Sequence, residues 1–167
     1  MRRFAVLLAL VTASLAITAT ASAGANHTTV TETDHIHGSF SDDQGFNPCT
    51  GNPMTFFFDG NLVAHDTLFF DAGNTSGIPD NVWATFTETG KFTGSDTVNG
   101  QIVDYSGHVT AWGNFNLNER NTNDSFTVTG TATGSDGTSF FFHDTFHEGT
   151  SASGLSFSFD KPTFTCA

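Results

Sequence analysis

Along most of the chain, apolar residues fall at every second position. Met54, Phe56 and Phe58 alternate with Thr55, Phe57 and Asp59, and Val82, Ala84 and Phe86 alternate with Trp83, Thr85 and Thr87. Phe126, Val128, Gly130 and Ala132 alternate with threonines at 127, 129, 131 and 133. A period of two marks a β-strand with one buried face, and no segment shows the helical spacing of three and four. Glycine, proline and Asx clusters cut the pattern into eight predicted strands: 28–40, 55–58, 62–70, 82–93, 101–117, 125–133, 138–148 and 155–165. Asp59-Gly60-Asn61 reads as a tight hairpin between the second and third of these, because Asp-Gly supplies the positive φ such a turn needs. Gly107 or Gly113 is expected to bend the long fifth strand.

Eight consecutive strands joined mostly by short turns predict an all-β fold, an eight-stranded antiparallel up-and-down β-barrel, with a β-sandwich as the alternative. The two cysteines point the same way. Cys49 precedes the second predicted strand and Cys166 is the penultimate residue, so a disulfide between them would bring the two ends of the sheet together. On the loop-entropy account a bridge of that span contributes roughly 5 kcal/mol.

The first 23 residues break the alternation. Arg2 and Arg3 precede an apolar run from Phe4 to about Ile17, and a small-residue stretch ends at Ala23, the layout of a secretory signal peptide. The expected organisation is therefore a signal peptide at 1–23 and one domain at 24–167, secreted and disulfide-bonded. No segment is long and apolar enough to predict a membrane span. Removing Arg2 and Arg3 from the five basic residues leaves three against 17 acidic ones, a net charge of −14. That balance excludes nucleic acid as a natural partner. Phenylalanine supplies most of the expected core, with 18 of the 19 in the mature chain.

Strand parity also sorts the polar residues. Asp34-His35, His65-Asp66 and His143-Asp144 each place one member on either face, and in each case the acid shares the apolar face. Glu32, Glu88 and Glu148 follow the same parity. Burial would raise the pKa of such carboxyls toward the general-acid range. Asp66 and Asp144, with the lone Tyr105, are accordingly the catalytic candidates. The inner aromatic wall, and with it a small-ligand site, is assigned to Phe56, Phe58, Phe70, Phe86, Phe126, Phe142 and Phe157, with Leu155 and Phe159 continuing the same face.

On the outer face, His35, His37 and His65 are the metal-ligand candidates, since residues two apart on a strand lie about 7 Å from each other. His143-Asp-Thr-Phe-His147 has the letters of a zinc-protease motif, but on a strand its histidines stand roughly 13 Å apart and cannot share an ion. Phe57, Phe69, Trp83, Trp112 and Phe141 are expected to point outward, with Phe57 and Phe69 joining into a patch suited to a homo-oligomer interface. No cofactor motif occurs.

The run Phe46-Asn-Pro-Cys-Thr-Gly-Asn-Pro, with Phe115-Asn-Leu-Asn-Glu-Arg120 and Asp160-Lys-Pro-Thr-Phe-Thr-Cys166, resembles small secreted actinobacterial proteins of unassigned function. In strand count and closure the chain resembles barrels of the allene oxide cyclase and dirigent type, which implies an oligomeric container for apolar small molecules. The leading expectation is a secreted barrel that binds a small apolar or aromatic ligand in a Phe-lined interior. The alternatives are a cyclase- or isomerase-type enzyme on the same barrel, and a self-associating or metal-capturing extracellular protein.

Overall fold

In the computed structural model, which describes residues 27–118 and 121–167, eight strands account for about three-quarters of the described residues. The expected signal peptide at 1–23 lies outside the described residues. The strands are β1 (Thr28–Phe46), β2 (Pro53–Phe70), β3 (Asn81–Val98), β4 (Gln101–Asn118), β5 (Thr122–Gly134), β6 (Ser139–Thr150), β7 (Ser156–Asp160) and β8 (Thr163–Cys166). They form one antiparallel sheet in chain order from β1 to β7, and β8 pairs with β6 beyond the end of β7. Among the described residues no helix is long and apolar enough to cross a membrane.

Cys49, in the β1–β2 turn, is disulfide-bonded to Cys166 at the end of β8, with Cα atoms 5.8 Å apart. The rings of Phe46 and Phe164 meet beside this bridge at 6.4 Å. Among the described residues no ladder joins β1 to β7 or β8, so the sheet is not closed by hydrogen bonds, and the disulfide and this ring contact tie the β1–β2 turn to the end of β8.

The turn that carries Cys49 is held from below. Asn47 is fully buried, accepts the Cys49 N–H on Oδ1, and donates from Nδ2 to Asp96 Oδ2 at 3.0 Å. Thr50 Oγ1 donates to the same oxygen at 2.9 Å. The buried Asp96 thus anchors the staple to β3.

The expected hairpin at Asp59-Gly60-Asn61 does not form, and β2 runs through it unbroken. Gly60 lies directly between Gly38 of β1 and Gly90 of β3, and its φ is not among the positive ones. The glycines serve close approach: the Phe58 ring lies over Gly60 and Gly90, where a Cβ would come within 2.5 and 2.6 Å of ring carbons. True two-residue turn geometry occurs instead at Asn99-Gly100, with φ of 51° and 80° between β3 and β4. The first strand also continues past residue 40 to Phe46, absorbing a register shift between Asp42 and Gly45.

The last predicted strand divides in two around Lys161-Pro162, where proline offers no N–H to the ladder. Its parity also departs from expectation. Phe157 pairs with Gly149 and Phe159 with His147, on the face opposite to Phe140 and Phe142. Phe157 is 53% exposed and covers the outer side of Gly149, so it does not belong to the inner wall. Leu155 precedes β7 and is exposed as well.

Two apolar clusters pack the inner face. The larger contains Met54, Phe58, Phe92, Tyr105 and Phe140 at the disulfide end. The smaller contains Leu68, Phe70 and Val82 near the opposite end.

Candidate functional site

Cross-strand partners in a ladder share a face, so the strand registers lay out the inner surface in rows. One row runs Glu32, Asp66, Ala84, Phe115, Asp124, Glu148, Ser158 from β1 to β7. The next runs Asp34, Ala64, Phe86, Gly113, Phe126, Phe146, Asp160. A third runs Ile36, Leu62, Glu88, Ala111, Val128, Asp144. Eight carboxylates therefore occupy three adjacent rows, and no lysine or arginine shares those rows among the described residues.

The cause of each electrostatic shift is local. Burial raises the Asp66 carboxyl above its usual range, and the neighbouring Asp34 and Glu32 push it further in the same direction. Burial likewise raises Asp124, assisted by Glu148. Asp144 is raised by burial and then by Asp160, with which it shares a hydrogen bond. Glu88 is 5% exposed, and burial alone pushes it up to about 6.

Aromatic rings lie among these acids. Phe126 and Phe146 are stacked with centroids 5.0 Å apart, and both, like Phe86, are only half-buried. Solvent reaches these faces, so the rows combine apolar surface with groups able to donate or accept a hydrogen bond. Farther toward the disulfide, Phe58 is fully packed in the larger cluster, with Phe56, Phe86, Phe126 and Phe142 against its edge. Phe70 is packed in the smaller cluster. Phe58 and Phe70 are thus core residues, while Phe86, Phe126 and Phe142 retain exposed surface.

The three catalytic candidates do not converge. Tyr105 lies two ladder steps from Phe56 of β2, and Asp66 is ten residues along β2 from that point, roughly 33 Å. Asp144 pairs through Val128 to Ala111, six residues from Tyr105, or roughly 20 Å along β4. Tyr105 instead places its hydroxyl 3.3 Å from Thr138 Oγ1, in a half-open cleft of about 260 Å³. The cleft is bounded by Val98, Phe140, Thr50 and the Cys49–Cys166 bridge, and none of the seven phenylalanines assigned to a ligand site lines it.

The histidine candidates are also separated by their partners. His65 Nδ1 is 2.9 Å from Thr33 Oγ1, His37 Nε2 is 3.5 Å from Asp59 Oδ1, and His35 stands opposite Val63. Among the described residues no three His, Cys, Asp or Glu side chains converge as a metal ion would require. Phe57 and Phe69 lie on the same strand, twelve residues apart, so they do not form one patch.

Sequence reasoning passed over Glu88, Asp124, Phe146 and Asp160 as site residues. The parity of Glu88 was readable, but its depth was not. Asp160 faces inward only because β7 pairs with β6 in the observed register.

No protein-family model matches the chain, no curated protein matches it, and no solved structure matches it.

Proposed function

We propose that the protein is secreted and binds a small apolar or aromatic ligand on the inner face of its sheet, along Phe86, Phe126, Phe142 and Phe146, with the flanking acids orienting the polar end of the ligand. One observation carries this reading: half-buried rings lie in the same ladder rows as Asp34 and Asp160. Aromatic surface that solvent reaches, bordered by a few directed polar groups, is the usual make-up of a small-molecule site.

The test is titration with N-phenyl-1-naphthylamine, a neutral apolar fluorophore. Saturable enhancement is expected, weakened at least fivefold by Phe126→Ala and unaffected by Phe141→Ala on the outer face. Absence of saturable enhancement, or equal loss in both variants, overturns the reading.

A second reading, proton transfer of the cyclase or isomerase type, is favoured by Asp144, whose carboxyl is raised above its usual range by burial and by the neighbouring Asp160. It requires turnover to fall with Asp144→Asn while binding of the fluorophore persists.

A further inference from the structure

The acids are not spread evenly over the molecule. The whole chain carries a formal charge of −12, yet its outward strand positions are free of charge over a wide area. These are the odd-numbered positions of 29–37, 61–69, 81–89, 123–129 and 143–149, and the even-numbered ones of 110–118, in β1 to β6. They hold no Asp, Glu, Lys or Arg. Threonine, asparagine, serine and histidine fill most of them.

Two tryptophans stand on this surface. Trp83 is 46% exposed and Trp112 is 44% exposed. Trp83 pairs across the ladders with Thr67 and Asn116, and Trp112 with Thr87 and Thr127. Trp112 lies four residues along β4 from the partner of Trp83, which sets the two indoles roughly 14 Å apart on adjacent strands. Asn81, two residues from Trp83 on the same face, has an Oδ1 shielded from solvent and without a hydrogen-bond partner.

We propose that this outer face binds a neutral polysaccharide, with Trp83 and Trp112 as two stacking platforms and the flanking threonine and asparagine side chains bonding sugar hydroxyls. A pyranose ring has an apolar C–H face and a rim of hydroxyls. An indole covers the first, and neutral groups that both donate and accept suit the second. The gap between the indoles is too wide for one ring and suits an extended chain.

Charge selects among the other occupants. The net negative field of the molecule repels nucleic acid and acidic glycans. A cationic peptide finds no carboxylate on the face. A second copy would carry the same charge, and the apolar side chains of the face, Trp83 with Phe69 diagonal to it, Val63 and Trp112, are set among threonines, asparagines and histidines where a subunit interface needs continuous apolar area.

Native gels cast with soluble neutral polysaccharides (a β-glucan, a xylan and a galactomannan) provide the test, with polygalacturonate as the acidic comparison. Retardation is expected in at least one neutral gel, reduced at least tenfold in apparent affinity by Trp83→Ala or Trp112→Ala. It is retained in Trp112→Tyr and in Phe141→Ala, with thermal melts confirming that each variant folds. The proposal is overturned if no neutral gel retards the protein, if only polygalacturonate does, or if retardation survives the double tryptophan variant. Concentration-dependent self-association abolished by Trp112→Ala would also overturn it, because a second copy would then occupy the face.

Discussion

The ring of Phe58 lies over Gly90 of the neighbouring strand so closely that a Cβ there would come 2.6 Å from its Cζ and 2.4 Å from the Asp59 carbonyl oxygen. The backbone oxygen has little freedom to retreat. Gly90→Ala is therefore expected to destabilise the fold by about 1–3 kcal/mol, read as a lower urea midpoint at an unchanged slope. A midpoint equal to that of the parent would mean that the ring and strand are not in this contact.

Glu88 makes stability depend on pH in a direction opposite to that of most salt-bridged acids. Its folded pKa is raised from 4.5 to about 6, so the folded state binds the proton more tightly than the unfolded chain does. The stabilisation is fully present below pH 4.5 and is lost as pH rises through 6. Glu88→Gln should match the parent at pH 4 and exceed it at pH 7 by at most about 2 kcal/mol. Denaturant melts at the two pH values check this; a variant less stable than the parent at pH 7 would contradict it.

Removal of the Cys49–Cys166 bridge, whose ends are 117 positions apart in the sequence, is expected to cost about 2–5 kcal/mol. Cys49→Ser combined with Cys166→Ser should lower the thermal midpoint markedly, and adding reductant to the parent should reproduce the effect.

Asn47 holds the turn that presents Cys49, through its bonds to the Cys49 N–H and to Asp96. Asn47→Ala removes one of the two donors to Asp96 Oδ2 and the acceptor of the Cys49 N–H, and should cost about 1–3 kcal/mol. Its second expected effect is slower disulfide formation on reoxidation, measured by thiol trapping. An unchanged oxidation rate would show that the turn is ordered without Asn47.

Alternation alone was enough to read the all-β class and the inward parity of Glu32, Asp34, Asp66 and Asp144, and the presence of two cysteines in a chain expected to be exported was enough to read their pairing. Alternation could not tell a turn glycine from a packing glycine. Gly60 and Gly100 both follow residues that favour turns, and only the neighbouring Gly38 and Gly90, placed by the ladder register, reveal the role of Gly60. Parity also fails where the chain reverses through an irregular turn. The 151–155 connection resets the phase of β7, which turned Phe157 outward and Asp160 inward. Convergence of residues is harder still to read, because it depends on pairing across several strands. Tyr105 and Asp66 share a face and are nonetheless far apart.

Each ladder in the sheet except that of β8 with β6 joins strands adjacent in the chain. Such a sheet can zip up hairpin by hairpin, each new strand docking on the one before, with little loop-closure entropy to overcome at any step. The seam between Cys49 and Cys166 is the exception, since it needs both ends of the finished meander. Folding and oxidation are thereby separable: nothing in the pairing of the ladders requires the bridge, and the final covalent stitch requires an oxidant.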